Sequence, residues 1–558
     1  MLRARIIVSF FMPITFVISL GYAQTIGSEG ITNTNTSDYV LPGNVTLTAN
    51  QTWDAQSGNI VAPANVNGNY KALTITGAND TTVSGVLSNL RYSNGLTKTG
   101  SGTLFLEGNN SFSGTVKIQN GTVQLSHNNA LGGSAWGNTV ESGGALALTD
   151  GITVTQGSFN IQGSGTGAGS LVNVSGNNTL NASLTLTGDA VFSSLQDTFT
   201  LNQSISQGNH DLTLLGPGNW DLNGTVNANS GGTLYLSSDG TTDISGNLNV
   251  AGGVVIDNSG STDISSNLNL GSGSLTIQGD STATLTGGQV NASGGLIVSD
   301  AANANISNSL NLGGADITLS SSGLIALSGS QINVGDISVA GSGSTTFASQ
   351  INASSFTQTG SGTTTFSGTG NNYFGSVSLE GGTVIAEQDG IAFHTNNLTM
   401  DNVDLEFGSD NQIPTWTNVT LEDNVNLSLN GTTQVWNELN ITGDSIIDFG
   451  NGNGSLSVGS LTIDPSAVLT ILNWSDDNLD EFNAQVDPGS SEPNITFSGG
   501  GGVWDPVTGD ITPVGVVPEP RTYGVMFMSA ALLGWYFRTH RHRKTTAETA
   551  APSTPEAG

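Results

Sequence analysis

Asp243-Ile244-Ser245-Gly246-Asn247-Leu248-Asn249-Val250 returns, twenty residues on, as Asp263-Ile264-Ser265-Ser266-Asn267-Leu268-Asn269-Leu270. Each unit reads polar, apolar, Ser/Thr/Asn, two small polar residues, apolar, polar, apolar. The unit also extends outward in both directions. Upstream it occurs as Thr179-Leu180-Asn181 with Leu184, Thr200-Leu201-Asn202 with Ile205, and Asp221-Leu222-Asn223 with Val226. Downstream it occurs as Thr284-Leu285-Thr286 with Val290, Asn305-Ile306-Ser307 with Leu310, Ala326-Leu327-Ser328 with Ile332, and Thr346-Phe347-Ala348 with Ile351, the copies at Thr284 and Ala326 holding one extra residue. The starts fall 21, 21, 22, 20, 21, 21, 21 and 20 residues apart. A spacing held over nine copies marks a structural repeat.

Apolar and polar residues alternate within each unit, which is the signature of a half-buried strand. A unit this short cannot bury its own apolar face, whereas stacked copies bury a continuous core. The fold class predicted is all-β: an elongated right-handed parallel β-helix, a solenoid with rungs of about 21 residues, nearly free of α-helix. Apolar side chains should line the inside, with Thr, Ser, Asn and Asp outside. Asparagines at equivalent places should stack in ladders that satisfy their amides between rungs. Glycines at the corners supply the positive-φ turns.

Composition agrees with this reading. The 558 residues include 77 Gly and no Cys, only 10% are charged, and the net charge is −32. Between residues 118 and 520 there is no Lys or Arg. No electropositive groove can form there, which argues against nucleic-acid binding and against adhesion to anionic lipid.

The two ends carry routing signals. Arg3 and Arg5 precede an apolar run over residues 6–20, and Gly21 and Ala23 stand at −3 and −1 of a cut between Ala23 and Gln24. This is the plan of a cleaved secretory signal peptide handled by Sec-type export machinery. At the other end, Pro518-Glu519-Pro520 precedes a nearly uncharged run over residues 523–537, then Arg538, Arg541, Arg543 and Lys544. As a helix this run reaches roughly 22 Å. The predicted element is a single short transmembrane helix, with the basic flank on the cytoplasmic side and the preceding chain outside.

Two stretches outside the nine units resemble each other. Residues 96–124 read LTKTGSGTLFLEGNNSFSGTVKIQNGTVQ, and residues 356–386 read FTQTGSGTTTFSGTGNNYFGSVSLEGGTVIA. They share T-x-T-G-S-G-T, an Asn-Asn pair, an aromatic (Phe112, Phe374), an apolar alternation (Val116/Ile118, Val377/Leu379) and Gly-Thr-Val. The pattern resembles the autotransporter-associated β-strand repeat of secreted passenger regions of bacterial surface proteins. The resemblance implies one or more turns of parallel β-helix. No translocator-type β-barrel follows it, so self-translocation in the autotransporter manner is not expected.

The C-terminal arrangement resembles the PEP-CTERM sorting domain, through Pro518-Glu519-Pro520, the run that includes Leu532-Leu533-Gly534, and the basic set Arg538, Arg541, Arg543 and Lys544. The resemblance implies recognition by an exosortase-like membrane protease, transient inner-membrane anchoring, and delivery to the envelope, surface or extracellular matrix. It also implies company with exopolysaccharide and biofilm systems.

The resulting layout is a signal peptide (1–23), an N-terminal β cap (24–95), the repeat region (96–400), final rungs with a C-terminal cap (401–515), the sorting segment (516–544) and a polar tail (545–558). Trp416, Trp436, Trp474 and Trp504 are expected to act as lids of the C-terminal cap.

The chemistry-bearing residues are sparse. A glycoside hydrolase on this scaffold would need two carboxylates, for which Asp476, Asp477, Asp480 and Glu481, or Asp401, Asp404 and Glu406, are candidates. A solvated acidic turn is the simpler reading of both sets. No Ca²⁺-loop motif is present, so loose screening by cations such as Ca²⁺ is expected rather than dedicated metal sites. His127, His210 and His394 lack a second His at ligand spacing and read as surface or turn residues. No catalytic residue or cofactor is assigned. The functional expectation is an exported structural or adhesion protein of the cell surface or matrix; the alternative is a polysaccharide-acting hydrolase.

Overall fold

The computed structural model describes residues 24–514 apart from 92, 94, 134–136, 476–479, 490–493 and 499. Over these residues the chain is a parallel β-solenoid of the right-handed type. One rung shows how it is built. Leu234–Ser238, Thr242–Ile244 and Leu248–Val250 form three short strands joined by tight corners. Each pairs in parallel with its equivalent in the next rung: Leu234 with Val254, Ile244 with Ile264, Leu248 with Leu268. The alternation read from the sequence sets which way each residue faces. Leu234, Leu236, Ile244, Leu248 and Val250 are buried, and the Asp, Asn and Tyr residues between them face outward. Burying one such leucine stabilises the fold by roughly 1.5–3 kcal/mol.

The stacking starts well before the nine units. Ile31–Asn33, Gln51–Ala55, Leu73–Gly77 and Leu96–Lys98 pair in succession, ahead of Val116–Leu125. Alongside them Gln24–Ile26, Val45–Leu47, Val66–Lys71 and Leu87–Leu90 form a separate four-stranded parallel sheet. One apolar cluster runs from Ile31 to Ile511, so residues 24–95 are stacked rungs that share the core of the repeat region.

The far end closes differently. Ile495–Phe497 is the last parallel strand, on Leu469–Leu472. Gly500–Trp504 then pairs antiparallel with it, and Ile511–Pro513 pairs antiparallel with Gly500–Trp504. The chain reversal covers the open strand edge that a solenoid would otherwise leave. The four tryptophans expected as lids divide accordingly. Trp474 lies between Phe449 and Phe497 at 5.0 and 5.5 Å, and Trp504 donates its indole N–H to the Ala484 carbonyl at 2.9 Å. Trp436 instead sits on an inward strand position and is core. Trp416 lies on the side of the rod, half exposed.

The polar-outside rule also needs correcting. Gln388, Gln412 and Gln434 are fully buried. The Gln388 N–H donates to the Gln412 side-chain carbonyl at 2.9 Å, and the Gln412 N–H to that of Gln434 at 3.0 Å. The corners leave backbone groups without strand partners, and stacked amides satisfy them from inside.

The signal segment with Ala23, the sorting residues Pro518, Glu519 and Pro520, the run 523–537 and the basic set Arg538, Arg541, Arg543 and Lys544 lie outside the described residues. Among the described residues no helix is long and apolar enough to cross a membrane.

Candidate functional site

Strand register places one residue per rung in an outward column on the side of the solenoid. Asn227, Asn249, Asn269, Asn291, Asn311, Asn333 and Asn352 pair in succession as Cα partners. The amide N–H of each donates to the side-chain carbonyl one rung earlier over most of this run: Asn249 to Asn227 at 2.9 Å, Asn269 to Asn249 at 3.0 Å, Asn291 to Asn269 at 2.9 Å, and Asn311 to Asn291 at 3.2 Å. A second, shorter ladder joins Asn181, Asn202, Asn223 and Ser245. The ladders expected from the repeat are therefore present, and the register shows which asparagines make them.

Past Asn352 the column changes chemistry. The next partner is Tyr373, and Tyr373 bridges to His394. The Tyr373 and His394 rings lie 4.5 Å apart, and Trp416 stacks edge-on against His394 at 5.2 Å from the following rung. Tyr373 and Trp416 are 42% and 51% exposed, so the stack presents ring surface to water. Beneath it lies a buried cluster: Phe366 contacts Phe356 and Phe393 at 5.2 and 5.1 Å and stacks on Phe347 at 5.3 Å. Phe374, next to Tyr373 in the chain, points the other way into this cluster. Strand alternation thus supplies both the outer rings and their rigid support.

Beside the aromatic stack is an open groove of about 400 Å³, lined by Asn311, Asn333, Asn352, Ala353, Gly375 and neighbouring corner residues. Sequence reading missed Tyr373, His394 and Trp416 as a group. Their spacing of 21 and 22 residues is the solenoid period and would have shown it.

A third outward column is acidic. Asp221, Asp243 and Asp263 are successive Cα partners. Partial burial, then the carboxylates of Asp263 and Asp221, raise the Asp243 carboxyl above its ordinary range.

The candidate carboxylates divide. Asp480 is buried, and its two oxygens accept the backbone N–H groups of Gly454 and Ser475, each at 2.8 Å. It therefore closes a turn, while Glu481 follows it on an exposed strand position. Asp476 and Asp477 lie outside the described residues. Asp404 and Glu406 face outward from one strand, and Asp401 accepts the side-chain amide of Asn402 at the preceding corner. His127 accepts the N–H of Asn129 within a turn, and His210 lies 3.9 Å from Asp189. Of His127, His210 and His394, only His394 joins an assembly, and that assembly is aromatic. Among the described residues no group of three or more His, Cys, Asp or Glu is placed to hold a metal ion.

Comparison with known families matches a passenger-associated-transport-repeat model to residues 96–125 and 356–386. These are the two stretches whose shared pattern stands out in the sequence, and both are rungs of the solenoid. No curated protein matches the chain. No solved structure matches it either.

Proposed function

We propose that this chain is an exported, non-enzymatic rod with a structural or adhesive role at the bacterial surface or in the extracellular matrix. The observation that carries the reading is the placement of two passenger-associated transport repeats in register within one continuous parallel solenoid. Such a stack exposes a long polar side and satisfies its backbone internally, which suits a surface exposed to proteases and to varying solvent.

Export begins with a Sec-type signal cut between Ala23 and Gln24. Pro518-Glu519-Pro520, the run 523–537 and the basic stop at Arg538, Arg541, Arg543 and Lys544 then hold the chain briefly in the inner membrane for an exosortase-like protease. The shortness of the run supports temporary anchoring, because read as a helix it would reach only about 22 Å, short of the roughly 30 Å hydrocarbon core. The non-enzymatic assignment is supported by the use of Asp480 as a structural carboxylate and by the lack of Lys or Arg between 118 and 520.

Mass spectrometry of the mature protein from fractionated cells tests the reading. A chain starting at Gln24, ending near Pro520 and recovered outside the inner membrane is expected. Cytoplasmic recovery with an intact N-terminus would falsify it.

A further inference from the structure

We propose that the junction between the asparagine column and the Tyr373–His394–Trp416 stack binds a neutral, linear polysaccharide. The inference adds a ligand to the surface-rod reading and does not depend on how the chain is exported. Two half-exposed aromatic side chains and a half-buried histidine in one continuous stack form an uncommon patch on this surface. In the rungs before Asn227 the same column holds Ser206 and Thr185, and further back Asn160, Thr139 and Lys117, none of them aromatic. Tyr and Trp each present an apolar face with a polar tip, which is why they recur at binding surfaces. The C–H faces of sugar rings pack on such platforms, and their hydroxyls need donors and acceptors at the rim.

The groove next to the stack supplies those groups. Asn311 is the last asparagine that donates its amide to a neighbour in the ladder. Beyond it, Asn333 and Asn352 line the groove without a side-chain hydrogen bond to other described residues. Each amide carries both a donor pair and an acceptor. The ladder places these groups one rung apart, at about 4.8 Å, along a line that continues through the three rings. A linear polymer lying along the solenoid axis meets first amides and then aromatic faces.

Charge selects among ligands that stack. Single-stranded nucleic acid also stacks on aromatic side chains, but its binding needs a basic groove. With no Lys or Arg between 118 and 520 and a net charge of −32, phosphodiester chains and polyuronates are repelled. An uncharged glycan meets no such barrier.

The test is affinity electrophoresis of the purified full chain in gels containing laminarin, galactomannan or dextran, with polygalacturonate as the anionic comparison. At least one neutral polysaccharide should retard the wild type. Tyr373→Ala and Trp416→Ala should each weaken that retardation by about tenfold or more, as expected for loss of an aromatic anchor. Tyr373→Phe should retain binding, and so should Leu324→Ser, which alters an exposed apolar side chain elsewhere on the rod. Circular dichroism checks that each variant is folded. Independently, saturating glycan should change the tryptophan emission of the wild type but not of Trp416→Phe. Retardation by none of the neutral polymers, unchanged binding in both alanine variants, or preference for polygalacturonate each overturns the proposal. All these readouts are independent of where the cell places the protein.

Discussion

Lys98 and Gln358 occupy the same place in the two passenger-associated repeats, and each is fully buried with its side-chain nitrogen aimed at backbone carbonyls. Lys98 Nζ donates to the carbonyls of Gly100 and Asn120. Gln358 Nε2 donates to those of Gly381 and Thr383 at 2.8 and 3.4 Å. Each nitrogen sits against a positive-φ glycine, Gly121 (φ 73°) or Gly382 (φ 70°), where a Cβ would collide with backbone. The two copies thus solve one corner with different chemistry. The glutamine leaves its carbonyl oxygen without a partner, whereas the lysine brings a charge into the core.

That difference gives a pH-dependent prediction. Burial pushes the Lys98 ammonium down from 10.5 to about 8, opposed by Asp80. A lowered folded pKa means that the charged form destabilises the fold. The penalty is fully present below about 8 and is relieved as pH rises from about 8 to 10.5. Lys98→Gln, which installs the residue of the second repeat, should remove this dependence. The difference in unfolding free energy between variant and wild type should be largest at pH 7 and shrink by on the order of 3 kcal/mol toward pH 10.5. Parallel curves across that range in urea titrations would show that Lys98 is not buried in its charged form.

The acidic column makes a prediction of opposite origin. Asp243 lies between Asp221 and Asp263, and its carboxyl is raised by partial burial and by those two neighbours. Its ionised form therefore weakens the stack. The destabilisation is absent in acid, grows as pH rises from the ordinary carboxylate value to the raised one, and is fully present above it. Asp243→Asn should stabilise the protein at neutral pH by roughly 0.2–1 kcal/mol, the size of a cross-strand charge effect. The gain should vanish in acid and shrink with added salt. A melting temperature unchanged at pH 7 and low salt contradicts it.

The asparagine ladder should stabilise by the number of links removed. Asn269 donates to Asn249 and accepts from Asn291, while Asn227 contributes only one link to this column. Replacing Asn269 with Ala should cost about 1 kcal/mol, near the low end for two hydrogen bonds because the ladder is wet. Asn227→Ala should cost about half as much by the same reasoning. Equal losses, measured by chemical denaturation, would argue that the amides are satisfied by water rather than by one another.

Much of this architecture is legible in the residues themselves. The period near 21 and the strict alternation in units such as Asp243–Val250 determine rung size, strand pairing and facing, because a one-residue slip would expose every core side chain. Residues 24–95 are harder to read because their corners vary and some strands are as short as Tyr39–Val40. Gln388 and Gln412 escape an alternation argument, since they lie at corners and what holds them inside is unpaired backbone there, whereas Gln434 follows the strand alternation two residues before Trp436. Tyr373, His394 and Trp416 come from segments of unlike local sequence, and only stacking at the solenoid period joins them.

The buried phenylalanine cluster tests how locally the solenoid is held together. Phe366 contacts Phe347, Phe356, Phe374 and Phe393. Phe366→Ala should cost about 3–5 kcal/mol as a cavity. In a solenoid each rung touches only its neighbours, so the loss should open nearby rungs first. Hydrogen exchange should accelerate across Gln350–Gln358, Thr363–Phe366 and Tyr373–Leu379 and leave Leu234–Ser238 protected. Uniform acceleration along the chain would mean that the rod unfolds as one cooperative unit.

The antiparallel reversal at the C-terminal end should prevent end-to-end growth. Gly500–Trp504 and Ile511–Pro513 turn the chain back over Ile495–Phe497, and Trp504 fastens the reversal to Ala484. Ending the chain at residue 494 removes all three strands and leaves Leu469–Leu472 as an unpaired edge above an apolar core. An open parallel edge templates further strands. The truncated protein should therefore self-associate with rising concentration in analytical ultracentrifugation, while the full chain does not. Trp504→Ala keeps the strands but loses the tie, so it should stay monomeric with faster exchange confined to Glu481–Ala484 and the reversal itself. Should the truncation remain monomeric, with Leu469–Leu472 as protected as before, the reversal is not what stops the stack.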